Sequence, residues 1–172
     1  MKKIVVIGPE STGKSTLSEA LANALGTLWV PEYARTYLDT LKRKYTQADL
    51  LTIAEGQLST EDKYTLSAEK LLICDTDLNV IKVWSEYKYN GCHAAILRHI
   101  AARRYDLYLL TGIDIPWQND PQREHPEPAM RSYFYNIYLD VVQNSGVPWV
   151  AIDGTPEERV QKSLLSVQQF MQ

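Results

Sequence analysis

Eight residues near the amino end, Gly8-Pro9-Glu10-Ser11-Thr12-Gly13-Lys14-Ser15, carry the spacing G-x-x-x-x-G-K-S without a mismatch. Residue types at this spacing suit one task, the holding of a polyphosphate. Gly8 and Gly13 permit a backbone path on which successive N–H groups converge on phosphate oxygens. A helix opening behind the loop adds unpaired N–H groups and the positive end of its dipole. Lys14 can reach the outer phosphates as a mobile cation, and the Ser15 hydroxyl can ligate a divalent ion. Glu10, Ser11, Thr12 and Thr16 complete the expected nucleotide-binding set, and the expected cargo is ATP with Mg²⁺.

A divalent ion at Ser15 calls for a facing carboxylate, typically at the end of a neighbouring buried strand. Leu71-Leu72-Ile73-Cys74-Asp75 has that form, so Asp75 is the predicted Mg²⁺ ligand, directly or through water. Asp77 follows after Thr76, and the two carboxylates share a side if the chain stays extended. The competing role for either acid is to cap the helix that starts near Leu78. Glu32 directly follows the second strand, in the crevice where ligands of open α/β sheets gather. It is placed to accept a proton or hydrogen bond from an attacking hydroxyl, and Tyr33 and Arg35 join it in the predicted substrate pocket. Either Glu32 or Asp77 orients the hydroxyl. The segment 115–123, with Trp117 and Arg123, and then Arg131, supplies arginines that could close over a triphosphate. Asp153 ends the fifth strand, where a turn could border the adenine. Trp84 and Tyr87 could stack on a flat ring, although packing is the favoured reading. Cys92-His93 lacks the spacing of a metal site, and no histidine has a nucleophile–base partner in sequence.

These residues need a scaffold, and the chain alternates apolar runs with amphipathic stretches. Strands are predicted over 3–7, 27–30, 70–74, 105–110 and 147–152. Helices are predicted over 15–25, 32–43, 47–67, 78–87, 93–103, 129–143 and 156–170. Residues 112–128 read as a loop, with a lid over about 113–128. Continuous apolar strands separated by helices imply parallel βαβ units with both sheet faces covered. The expectation is one three-layer α/β domain over residues 1–172 with a five-stranded parallel sheet.

Composition narrows the function classes. With 45% hydrophobic and 23% charged residues and a formal charge of −3, the chain has no basic footprint for nucleic acid or anionic membrane. The apolar start stops at Gly8, short of a signal peptide, and no apolar run reaches membrane-spanning length. A cytoplasmic protein acting on a small-molecule substrate is expected; neither composition nor motif bears on oligomeric state. A GTPase would carry a late N-K-x-D motif, which is missing. A mechanical ATPase would need a second helical domain, for which this length leaves no room. Small kinases of nucleosides and metabolites fit the strand count and the loop after the fourth strand.

Gly8–Ser15, Pro31-Glu32-Tyr33-Ala34-Arg35, Asp75-Thr76-Asp77 and Trp117-x-x-Asp120-x-x-Arg123 resemble, in order and spacing, the ribosylnicotinamide kinase domain of NadR-type proteins. The likeness runs over about residues 1–170 and extends to P-loop ATPases of the AAA type. It implies a P-loop, nucleoside-kinase-like fold and phosphoryl transfer from ATP to the 5′-hydroxyl of nicotinamide riboside. It also implies Lys14 and Ser15 at triphosphate and metal, Asp75 and Asp77 near metal and ribose, Glu32 and Arg35 in the riboside pocket, and Arg123 in the lid. The first strand begins at Lys3, so the adenylyltransferase and DNA-binding domains that often precede such kinases are not expected within these residues. The alternatives are a P-loop kinase for another nucleoside or metabolite and a non-catalytic ATP-binding switch.

Overall fold

The computed structural model describes residues 1–172. The chain runs β1 (Lys2–Ile7), α1 (Lys14–Leu25), β2 (Leu28–Val30), α2 (Tyr33–Thr40), α3 (Gln47–Ser67), β3 (Leu71–Asp75), α4 (Leu78–Tyr89), α5 (Ala94–Ala102), β4 (Leu107–Thr111), α6 (Pro128–Asn144), β5 (Trp149–Ile152) and α7 (Pro156–Met171). The five strands form one sheet in the order β2-β3-β1-β4-β5, and every pairing is parallel.

Strand alternation explains the three layers. Ile4 and Val6 point to one face, where they meet Leu17 and Leu21 of α1 and Val167 of α7. Val5 and Ile7 point to the other, toward Val83 of α4 and Tyr138 and Val142 of α6. Both faces of β1, β3 and β4 are therefore apolar, and β3 and β4 are buried along their whole length. A separate cluster, with Leu50, Ile53, Leu78, Ile81 and Ile96, joins α3, α4 and α5 beside the sheet.

Register sets the site. Val6 lies opposite Asp75 and Ile7 opposite Leu110, so β1, β3 and β4 deliver Gly8, Asp75 and Thr111 to one edge. β2 ends at Val30 opposite Cys74, which brings Glu32 to that same edge. Among the boundaries that differ from expectation, two have tertiary reasons. Helix α2 stops at Thr40, before Arg43, because the Arg43 guanidinium turns back to Asp49 at 2.7 and 2.8 Å. Strand β4 starts at Leu107, after Tyr105, whose hydroxyl is drawn to Glu61 at 2.8 Å. No helix is long and apolar enough to cross a membrane.

Candidate active site

The loop from Gly8 to Gly13 takes its shape from crowding and capping. Gly8 has φ +150°, and a Cβ there would sit 2.3 Å from Thr111 Oγ1 and 2.9 Å from the Thr111 carbonyl oxygen. Gly13 has φ +75° and caps the amino end of α1. The Thr12 hydroxyl donates to the Pro9 carbonyl at 2.8 Å and lies 2.7 Å from Thr111 Oγ1. Thr12 thus holds the loop through its side chain and leaves its backbone to the cradle. Lys14 Nζ donates to the Pro9 carbonyl at 2.8 Å, spanning the loop.

Across from Ser15, Asp75 is completely buried at the end of β3, and neither carboxylate oxygen has a hydrogen-bond partner. Burial, and then the charge of Glu32, pushes the Asp75 carboxyl up to about 7; the Ser15 hydroxyl, Lys14 and Arg35 pull the other way. An orphaned buried carboxyl is costly unless something cationic meets it. The pair Ser15–Asp75 therefore fits a divalent ion. No group of three or more His, Cys, Asp or Glu is arranged to hold a metal, so phosphate oxygens and water would complete the shell, as Mg²⁺ prefers.

Asp77 does not share that side. Thr76 adopts φ +70°, which turns the chain out of extension, and the Asp77 carboxylate becomes the cap of α4. It accepts from the Asn79 amide at 2.9 Å, from Asn79 Nδ2 at 2.7 Å and from the Tyr108 hydroxyl at 2.7 Å. Burial raises its pKa, its two oxygens already accept three hydrogen bonds, and it faces a second groove with Tyr105 and Arg103. Neither hydroxyl orientation nor ribose contact at the cradle is open to it.

A cavity of about 380 Å³ runs from the cradle along the sheet edge. Glu10, Ser11, Thr12, Lys14, Ser15 and Thr16 line it at the phosphate end, and Arg123 and Arg131 line its roof. Arg131 donates to the Ile115 carbonyl at 3.0 Å and the Ser11 carbonyl at 3.3 Å, while its Nε has no partner. Burial lowers the Arg131 pKa, as expected for a cation awaiting an anion. Arg123 Nη1 donates to the Gln118 carbonyl at 2.6 Å and to Ser11 Oγ at 3.3 Å.

Residues between β4 and α6 lie over the cradle as a strap tied down at several points. The Glu10 carboxylate accepts from the Glu124 and His125 amides at 3.0 and 3.3 Å. Arg35 pairs with Asp120 at 2.8 Å, and Lys88 pairs with Glu124 at 2.9 Å. Asp120 thereby raises the Arg35 pKa. Glu10 is a strap anchor here, and Arg35 reaches the strap while also lining the cavity.

At the far end, Glu32, Ala34, Trp84, Tyr87, Phe134 and Tyr138 form the wall. Besides Asp75 and Asp77, three residues assigned from sequence stand outside the lining. Tyr33 packs against Gly56, where a Cβ would come within 2.1 Å of its ring. Trp117 donates its indole N–H to Asn119 at 3.1 Å and carries the Arg131 guanidinium 5.9 Å above its ring. Asp153 is exposed and pairs with Lys162 at 2.6 Å. An unforeseen residue takes the position beside the loop: Arg159 of α7, 4% exposed, donates to Thr12 O at 2.8 Å, Gly154 O at 2.9 Å, Gly112 O at 3.1 Å and Asp114 at 2.5 Å. Its only local sequence signal is the capping box Thr155–Glu158 that starts its helix.

Comparison with known proteins follows the same lines. A family model described as an AAA domain matches residues 3–159. The chain is 28% identical over 160 residues to the trifunctional NAD biosynthesis/regulator protein NadR of Escherichia coli (strain K12), covering 89% of this chain and 38% of that protein. The NadR of Salmonella typhimurium gives the same 28% over 160 residues, covering 88% and 38%. The chain thus spans well under half the length of these curated relatives. A crystal structure of NadR protein in complex with NR superposes with a TM-score of 0.78 at 21% identity, over 98% of this chain and 50% of that one. Thymidylate kinase from Ehrlichia chaffeensis superposes at 0.63 with 15% identity, over 99% and 98%. At such identities the structural likeness establishes the fold, a three-layer P-loop arrangement of the nucleoside-kinase kind. With its cradle, its sheet order and a family match over residues 3–159, this chain belongs to the AAA domain family of P-loop proteins.

Proposed function

We propose that the protein is an ATP-dependent kinase that phosphorylates the 5′-hydroxyl of nicotinamide riboside, giving nicotinamide mononucleotide in NAD salvage in the cytoplasm. Residues 1–172 act as one kinase unit, with the strap over about 113–128 as its lid. The observation that carries this reading is the cavity joining a phosphate cradle, with a partnerless Asp75 facing Ser15, to an aromatic, acid-bearing wall at Glu32, Trp84 and Tyr87. A switch would need no second compartment of that kind. The relatives support the riboside, since they are named for NAD biosynthesis and a structural neighbour is a complex with NR.

In this reading the triphosphate lies on the amides of residues 8–15, with Lys14 and the strap arginines on its outer oxygens. Ser15 and Asp75 would hold Mg²⁺, which when bound would supply neutralisation of phosphate charge. The riboside enters beside Glu32, which holds its 5′-hydroxyl in line with the γ-phosphorus. The new O–P bond forms as the bond to the β,γ-bridging oxygen breaks, and the hydroxyl proton passes to the Glu32 carboxylate. A loose transition state asks little of that base. The strap excludes water and so favours the riboside over hydrolysis.

The test is a panel of acceptors with ATP and Mg²⁺, read by product mass and ADP release. Nicotinamide mononucleotide should form, and Lys14→Ala should lower turnover at least ~100-fold while the melting temperature holds. Phosphorylation of thymidine or deoxycytidine without nicotinamide riboside would reassign the acceptor. Tight ATP binding with no acceptor-dependent ADP release would make the protein a binding module.

A further inference from the structure

Two tyrosines are buried in this molecule, and they differ in one respect. Tyr108 donates its hydroxyl to Asp77 at 2.7 Å. The partly buried Tyr37, Tyr45 and Tyr105 also find acids, Asp49, Glu124 and Glu61, at 2.7, 3.0 and 2.8 Å. The hydroxyl of Tyr138, a residue only 6% exposed, makes no hydrogen bond within the protein. Its ring packs among Val5, Ile7, Val83 and Leu110, contacts a phenylalanine would make equally well. Its oxygen is not sealed in the core but keeps accessible surface, and the residue lines the cavity. Packing alone does not account for the hydroxyl.

Position supplies the account. Phe134 and Tyr138 stand one helical turn apart on α6, and both line the cavity beside Val80, Val83 and Glu32. The carboxylates whose charges act on Tyr138 are Glu32 first, then Glu10 and Asp77. Tyr138 thus shares one wall of the cavity with Glu32, Val83 and Phe134. Burial and those negative charges hold the phenol protonated far above neutral pH, so it offers a donor. Glu32, a carboxylate, offers an acceptor. A donor and an acceptor on one apolar wall match a sugar hydroxyl, which can accept from one group while donating to the other.

We propose that Tyr138 is a substrate-contacting specificity residue whose hydroxyl donates a hydrogen bond to a ring hydroxyl of the acceptor ribose. This rests on the riboside-kinase reading given above. Its consequence is selection for ribosides over deoxyribosides, because in the filled cavity a missing sugar hydroxyl leaves the Tyr138 hydroxyl without a partner.

The experiment compares wild-type protein and Tyr138→Phe on nicotinamide riboside and on its 2′-deoxy and 3′-deoxy analogues, with ATP saturating. The substitution should lower kcat/KM for the riboside roughly 3- to 10-fold, the loss of one neutral hydrogen bond, and leave the KM for ATP unchanged. With one of the two deoxy analogues the penalty should vanish, which identifies the hydroxyl that is read. Thermal stability should not fall, since the ring stays and the unpaired group goes. An equal penalty on all three acceptors, no penalty on any, or a penalty that appears in the KM for ATP overturns the assignment and leaves the kinase reading standing. Failure of the wild type to phosphorylate any of the three acceptors overturns the kinase reading and this inference together.

Discussion

Replacing Asp75 with asparagine should remove a large part of the pH dependence of folding in the metal-free protein. The carboxyl is completely buried without a partner, and its pKa stands at about 7 against an ordinary value of 3.8. A carboxyl raised on folding favours the folded state below its unfolded pKa, where both states are protonated. That stability is lost as pH rises through the folded pKa. The rise from 3.8 to about 7 makes the full penalty about 4 kcal/mol well above neutrality. By about pH 5 the unfolded chain has already ionised, so roughly 2 kcal/mol of the penalty is present there. Between about pH 5 and pH 8, wild-type stability should therefore fall by on the order of 2–3 kcal/mol on account of this one group. The Asp75→Asn variant should lack that component and be the more stable protein at pH 8, although it loses metal-dependent turnover. Urea unfolding in EDTA at several pH values across this range measures the difference directly. Glu32→Gln supplies an internal control: it removes the second cause of the shift, so its transition should move toward acid. Parallel pH profiles for wild type and Asp75→Asn would refute the idea that Asp75 is held uncompensated beside Ser15.

Three further outcomes follow from named contacts. Gly8→Ala sets a methyl against Thr111 at a positive φ, so it should cost at least ~1–3 kcal/mol and abolish nucleotide binding, as seen by denaturation and calorimetry. Glu61, 1% exposed, accepts from Lys3 at 2.6 Å and Tyr105 at 2.8 Å; Glu61→Ala strands both donors and should cost about 3 kcal/mol in urea unfolding, with the KM for ATP little changed. Arg159→Met frees the Thr12 carbonyl, so the KM for ATP should rise about tenfold or more while the acceptor KM holds, as read from initial rates.

The cradle and the sheet were legible because both depend on local and repeating signals. Gly8, Gly13, Lys14 and Ser15 are neighbours in sequence, and their roles follow from backbone freedom and a short reach to phosphate. Val5-Val6-Ile7 and Leu71-Leu72-Ile73-Cys74 are apolar on both sides, which a sheet with helices on both faces demands. Asp75 could be picked out for the same reason, as the acid ending such a run.

What sequence left open was decided by contacts made across the fold. A single positive φ at Thr76 sends Asp77 to Tyr108 and away from Asp75, and no residue pattern announces it, since threonine rarely adopts that conformation. Glu10 stands inside the phosphate motif yet spends its carboxylate on strap amides more than a hundred residues away. Asp153 turns outward to Lys162, and Arg159, one turn into the next helix, turns inward to Thr12. Tyr138 reads from sequence as one more packed aromatic. Only the packed sheet edge, with Val5 and Ile7 beneath its ring and no acid within its reach, leaves its hydroxyl facing the cavity without a partner. Local sequence dictates backbone path and apolar pattern; which polar atoms end up satisfied is a property of the whole assembled interior.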